Sequence, residues 1–258
     1  MINKLGFGFL RLPKEGDEFD WDTICQMVDV FMAGGGTYFD TCYTYLNGMS
    51  EYGIKKCVAE RKLRDSFQLC DKLPGYLFKS YDDCQKYFDE ELSRCGVDWF
   101  DVLMLHWLND ENYSIAEKYD EFRFLREKKE EGKAKRIGFS YHGNAALLDQ
   151  ILTAHPEVDV VLMQLNYQDW ESEGIQSRKC YETCLRHGKS VMVMEPVKGA
   201  RWQRSRRKRK QSFGQSTRIG HLPTGRCGSY NPCPGWKFAL AVWALWSRCA
   251  PTSDPLNL

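Results

Sequence analysis

The stretch F-D-V-L-M-L-H, residues 100–106, decides the fold, because Val102, Leu103, Met104 and Leu105 run without a polar interruption. Val160, Val161, Leu162 and Met163 repeat the pattern. A strand with one wet face alternates apolar and polar residues, whereas a near-continuous apolar run belongs to a strand covered on both faces, as in an all-parallel sheet. Working outward, similar β-type segments are predicted at residues 36–41, 67–72, 134–140 and 190–195, preceded by an opening strand over 5–12. Amphipathic helices are predicted between them at 21–33, 50–60, 80–95, 115–131, 145–154 and 176–187. In the third helix Tyr81, Cys84, Phe88 and Leu92 recur at three- and four-residue spacing, which predicts one buried stripe. Seven strands alternating with helices predict an α/β barrel of the TIM (β/α)8 type, one strand short of closure. An open doubly wound sheet is the alternative, but the first βα turn lacks the glycine fingerprint that such sheets use for a dinucleotide. Gly34, Gly35 and Gly36 follow a helix and precede a strand, and so read as a cap and turn.

With 258 residues and 43% hydrophobic content, the chain can build one large core. No apolar run is long enough for a signal peptide or a membrane span, so a cytoplasmic protein without membrane partners is expected. The eleven cysteines form no C-x-x-C pair and read mostly as reduced thiols. The net charge of +1 conceals an asymmetry: residues 1–199 carry 25 Lys and Arg against 34 Asp and Glu, and residues 200–258 carry 11 against 1.

In a βα barrel, chemistry gathers where the strands end. Asp40, Lys72 and His106 each stand at the end of a predicted strand, and Tyr45 follows Asp40 in the next loop. Singly, each has an ordinary explanation: a surface tyrosine, a solvated lysine, a packed histidine. Together they form a proton-donating set. Carbonyl reduction needs an acid that protonates the developing alkoxide, and a tyrosine serves when a neighbouring cation supports its phenolate. Lys72 would be that cation, Asp40 would hold it charged, and His106 would orient the carbonyl oxygen. His142, His155 and His187 read as structural or solvent-facing, and Cys180 with Cys184, one helical turn apart, as helix-face residues, so no metal site is expected.

The runs F-D-T-C-Y-T-Y-L-N-G-M-S-E (39–51), D-K-L-P (71–74), L-M-L-H (103–106), G-F-S-Y-H (138–142), Q-L-N-Y (164–167) and V-M-E-P-V-K-G (193–199) resemble the aldo/keto reductase family. The likeness covers about residues 1–199 and looks closest to the bacterial and archaeal iron–sulfur-associated branch. It implies an eight-stranded barrel that binds NADPH, or NADH, without a dinucleotide-fold motif and reduces an aldehyde or ketone. By motif, Tyr45 matches the acid, Lys72 and Asp40 its supporting pair, and His106 the orienting residue. Ser140 and Gln164 match positions that hold the nicotinamide carboxamide. Glu195, Pro196 and Gly199 match the loop along the cofactor. Met194 stands where many relatives carry a stacking aromatic. Cys227, Cys233 and Cys249 lack the spacing of an iron–sulfur cluster, so none is expected.

After residue 199 the pattern stops. Residues 201–210 read R-W-Q-R-S-R-R-K-R-K, then come a Gly/Pro/Ser/Thr stretch and a Trp-rich run over 236–246. Such a basic run usually suggests nucleic acid, but a one-nucleotide frameshift near codon 200 ranks above it, and no nucleic-acid partner is expected. Trp is encoded only by TGG, so the frame one base earlier reads Glu across Trp236 and Lys237, and Gly across Trp243 and Ala244. Residues 200–258 are thus expected to be a basic tail outside the domain, leaving the eighth strand missing or scrambled, two sheet edges unpaired, and cofactor affinity and activity impaired. The alternative reading is an inactive barrel that binds nucleotide or a partner.

Overall fold

The computed structural model describes residues 5–166, 168–196 and, as backbone, 236–241. Its strands are β1 (Leu5–Gly8), β2 (Tyr38–Asp40), β3 (Gln68–Leu73), β4 (Phe100–Leu108), β5 (Ala134–Tyr141), β6 (Val160–Gln164), β7 (Ser190–Met194) and β8 (Trp236–Ala241). All eight pair in parallel in one closed barrel, in chain order from β2 to β8, with β1 between β8 and β2. The α/β barrel read from the sequence is therefore present. The expectation of a missing or scrambled eighth strand is corrected: Gly6 pairs with Leu240 on one side, and Val193 with Ala239 on the other. The physical reason is that β1 and β7 would otherwise expose unpaired N–H and C=O groups across one gap. The W-K-F-A-L-A run has the aromatic and apolar content that favours a strand, and ladder bonds come from backbone of any sequence. Its register slips between Trp236 and Phe238. The basic run at 201–210, the frameshift and the rest of the tail lie outside the described residues.

The helices are α1 (Trp21–Ala33), α2 (Met49–Ile54), α3 (Tyr81–Cys95), α4 (Asp110–Lys118), α5 (Glu121–Glu130), α6 (Ala145–Ala154) and α7 (Ser177–Arg186). Their starts follow local chemistry. Asp20 accepts from Thr23 N–H at 3.0 Å ahead of α1, and Asn144 accepts from Leu147 N–H at 2.9 Å ahead of α6. Ser80 and Asp83 form a capping box at α3, which ends on Gly96 in the left-handed region. Four details depart from the sequence reading. The single helix expected over 115–131 is two, because Asp120 takes a left-handed turn (φ 53°) between α4 and α5; aspartate is among the few non-glycine types that do so readily. The helix expected over 50–60 continues past Ile54 as a π-turn, Lys55–Ala59. The stripe that α3 buries is Cys84, Phe88, Glu91 and Cys95, so a carboxylate points inward where an apolar edge was expected. A short hairpin, Lys14–Glu15 with Glu18–Phe19, precedes α1 and was not foreseen.

Strand parity divides the core. Tyr38, Cys70, Val102, Met104, Val160, Leu162 and Met192 pack together inside the barrel. Their odd-numbered neighbours Phe39, Leu69, Leu103, Val161 and Val191 pack with the helices. Both faces being dry is what the continuous apolar runs required. On β5 the interior position is Gly138, where an added Cβ would lie 2.1 Å from the Val160 carbonyl oxygen. That close approach admits no side chain.

Candidate active site

The same parity that fills the barrel aims the candidate site residues. Two residues beyond Tyr38 comes Asp40, two beyond Cys70 comes Lys72, and two beyond Met104 comes His106, so each closes an interior-facing series at the carboxyl end of its strand. Ser140 and Gln164 continue the series of Gly138 and Leu162. A strand's period of two explains why residues far apart in sequence converge on one rim.

Lys72 is the centre of the set and has no exposed surface. Its ammonium donates to Asp40 Oδ2 at 2.8 Å and to the Thr41 carbonyl at 2.5 Å, and lies 4.9 Å from the centre of the Tyr45 ring. Burial is the largest influence and disfavours its charge, but Asp40, joined by Tyr45, Cys70 and Cys42, outweighs it and holds Lys72 protonated well above the ordinary range for lysine. Tyr45 opens the turn Tyr45–Gly48, in which Leu46 and Asn47 adopt left-handed backbone (φ 53° and 56°). Its N–H bonds the Cys42 carbonyl at 3.0 Å, which folds the loop back over the barrel mouth. Burial pushes the Tyr45 phenol above the usual tyrosine range, while the Lys72 charge pulls it the other way. His106 meets Tyr45 edge to face at 5.7 Å between ring centres. Burial first, then the Lys72 charge, press the imidazole down to about 3, so it is neutral at physiological pH.

His106 is presented by a bulge. The β4–β5 register breaks between Leu105 and Leu108, and Trp107 takes a positive φ of 63°. Trp107 N–H donates to Ser140 Oγ at 2.7 Å, which holds the bulge in place. Ser140 is thus buried at the rim with its hydroxyl proton directed elsewhere, and Gln164, half-buried, ends β6 nearby. Glu195 follows β7 in left-handed backbone (φ 55°), its carbonyl accepting from Asn166 Nδ2 at 3.4 Å, and Pro196 is buried beside it. Gly199 lies outside the described residues.

Several residues of this rim were missed from the sequence. Cys42 places its sulfur 3.1 Å from His106 Nδ1. Tyr76 packs against His106 and Trp107, each at 5.9 Å, and Trp107 packs against His142 at 6.2 Å. His142 therefore belongs to the mouth, whereas His155 stacks on Phe122 and His187 is bonded to Asp149, away from it. Only the tertiary packing gathers these side chains; the sequence signal was the run of aromatics beside the strand ends. A cavity of about 380 Å³, lined by residues such as Phe67, Trp99 and Asp101, opens where strands begin, away from this rim.

Behind Lys72 lies a second buried group. Glu51, Asp71 and Cys95 bring one ligand-type atom each within 4.8 Å of one another, the one such grouping among the described residues. Asp71 accepts from Lys72 N–H at 2.8 Å and from the Cys95 thiol at 3.2 Å, and Glu51 accepts from Arg94 at 3.2 Å. Burial first, then the neighbouring Asp71 carboxylate, push Glu51 up to about 9, and Glu91 rises for the same two reasons. Asp71 rises to about 7, chiefly through burial. Burial thus favours the protonated carboxyl on Glu51 and Glu91.

The aldo/keto reductase family profile matches residues 4–238, which spans this rim and reaches into β8. The chain belongs to the aldo/keto reductase family. Among curated relatives, a Saccharomyces cerevisiae protein provisionally named aryl-alcohol dehydrogenase AAD14 is 30% identical over 130 residues, 45% of this chain and 33% of that protein. The chain spans between 33% and 53% of the first curated relatives it matches. Among solved structures, an aldo/keto reductase from Brucella melitensis superposes with a TM-score of 0.59 at 22% identity, covering 75% of this chain and 68% of that one. One from Klebsiella pneumoniae, in complex with NADPH, gives 0.57 at 18% identity, covering 74% and 62%. At these identities the likeness establishes the aldo/keto reductase barrel. Among the described residues, no helix is long and apolar enough to cross a membrane.

Proposed function

We propose that this aldo/keto reductase reduces an aldehyde or ketone to an alcohol with NADPH, Tyr45 acting as the acid. The observation that carries the reading is the Lys72 ammonium, completely buried, bonded to Asp40 at 2.8 Å and 4.9 Å from the Tyr45 ring. A buried cation held beside a phenol stabilises the phenolate left when the phenol gives up its proton. Tyr45 donates that proton to the carbonyl oxygen, Lys72 balances the charge that remains, and Asp40 keeps Lys72 protonated. His106, neutral and edge-on to Tyr45, orients the carbonyl by a hydrogen bond.

The nicotinamide, when bound, supplies the hydride. The residues present fit it: Ser140 and Gln164 are uncharged hydrogen-bonding groups on the interior face of adjacent strands, the chemistry a carboxamide needs. Glu195 and Pro196, with Gly199 further on, would flank the cofactor. The aromatic rim of Tyr76 and Trp107, together with the likeness to a protein named for aryl alcohols, favours aromatic aldehydes as the first substrates to test.

Turnover of NADPH with a panel of aldehydes tests the proposal. Tyr45→Phe is expected to lower kcat by about 10²–10⁴, the usual contribution of a positioned acid. Unchanged turnover in Tyr45→Phe would remove Tyr45 as the acid. NADPH binding without any turnover would favour the barrel as a nucleotide- or partner-binding module.

A further inference from the structure

Cys42 stands beside His106 at the barrel mouth and has no exposed surface. Its sulfur lies 3.1 Å from His106 Nδ1, 3.5 Å from Thr44 Oγ1 and 3.6 Å from the Lys72 carbonyl oxygen. Burial pushes the thiol far above its ordinary range, so the group carries its proton. His106 is neutral and therefore has a single N–H. Two arrangements satisfy the contact. In one, Nδ1–H points at sulfur, Nε2 is bare, and the thiol proton turns to Lys72 or Thr44. In the other, the thiol donates to Nδ1 and the ring proton sits on Nε2. Sulfur is a poor acceptor and an imidazole nitrogen a good one, and Nδ1 is the nearest of the three acceptors, so the second arrangement is favoured. It also suits the chemistry, because a bare Nε2 would set a lone pair against the carbonyl oxygen.

We propose that Cys42 is a positioning residue whose S–H···Nδ1 hydrogen bond holds His106 in the tautomer with its proton on Nε2, the form able to donate to a substrate carbonyl. The partner of one ring nitrogen selects the tautomer of the other, a second-layer control familiar for imidazoles. The inference rests on the carbonyl-reduction reading for its purpose, but the tautomer can be measured without turnover.

The experiment uses the full chain labelled with ¹⁵N at histidine, with the His106 signals assigned from His106→Gln. Two-bond proton–nitrogen couplings in the ring report which nitrogen is protonated. Wild type is expected to show the Nε2–H pattern, Cys42→Ala a mixture of both tautomers, and Cys42→Ser, which keeps a donor, the wild-type pattern. In parallel, kcat/KM for an aldehyde should fall about five- to tenfold in Cys42→Ala, the value of one hydrogen bond, and recover most of that loss in Cys42→Ser. A general packing role would not be rescued in this order, since serine is polar and smaller than cysteine. An unchanged coupling pattern in Cys42→Ala, or an Nδ1–H pattern in wild type, overturns the inference. Absence of turnover in wild type with the expected couplings would instead count against the carbonyl-reduction reading and leave the tautomer assignment standing.

Discussion

Replacing Asp40 by Asn removes one charge from a buried pair and leaves the other. At 2.8 Å, with an effective dielectric of about 20, the attraction between Lys72 and Asp40 amounts to about 6 kcal/mol. Desolvating the two ions costs several kcal/mol each, so the intact pair is close to neutral for stability. Asp40→Asn deletes the attraction but keeps the Lys72 desolvation cost. The Thr41 carbonyl at 2.5 Å and the new amide oxygen still accept from the ammonium, which places the loss at about 3 kcal/mol, the low end for a broken buried pair. In a domain of this size that is about 6–12 °C in Tm. The double variant Asp40→Asn/Lys72→Met removes the orphaned charge as well and should regain much of the loss. Urea unfolding at pH 7, followed by far-UV circular dichroism, measures all three proteins. A cost below about 1 kcal/mol for Asp40→Asn, or a double variant no more stable than the single one, would refute the assignment of Lys72 as a buried, paired cation.

Two further outcomes are expected. Glu51, Asp71 and Glu91 hold protons in the folded chain that the unfolded chain releases near pH 4–5, so the folded state binds more protons and this cluster lowers stability as pH rises from there. The loss levels off only when the folded groups ionise, near pH 7 for Asp71 and pH 9 for Glu51. Glu91→Gln should make the fall between pH 5 and 7 shallower by up to about 1.4 kcal/mol per pH unit, and identical slopes in wild type and variant would contradict the shared burial of these carboxyl groups. Leu240 pairs with Gly6 in the middle of the ladder that closes the barrel, so Leu240→Pro, which removes a ladder donor and leaves its partner unpaired, should cost about 1–3 kcal/mol; a Tm within about 1 °C of wild type would mean that Trp236–Ala241 does not close the barrel.

Much of the candidate site was legible because β-strands have a short, rigid period. Once the apolar runs at 102–105 and 160–163 are read as strands dry on both faces, the polar residues at their ends, His106 and Gln164, have only one place to go. Asp40 and Lys72 follow by the same count. Cys42, Tyr76 and Trp107 were not legible, because nothing in their local pattern states what they touch. Their roles come from the tight turn before Tyr45 and the bulge at Trp107, where the backbone leaves the regular period. Glu91 shows a similar limit. Its helix reads as amphipathic from either side, and only packing against Asp71 and Glu51 decides that a carboxylate faces inward.

By itself the sequence determined the barrel, the order of its first seven strands along the chain and the place of Asp40, Lys72 and His106 at strand ends, since these depend on period, polarity and spacing. The tertiary structure alone decided closure. Whether residues 236–241 complete the barrel depends on the free ladder bonds of Leu5–Gly8 and Ser190–Met194, and those edges come together only when the other strands have paired. A backbone ladder accepts a strand for its hydrogen bonds, whatever family pattern its side chains lack.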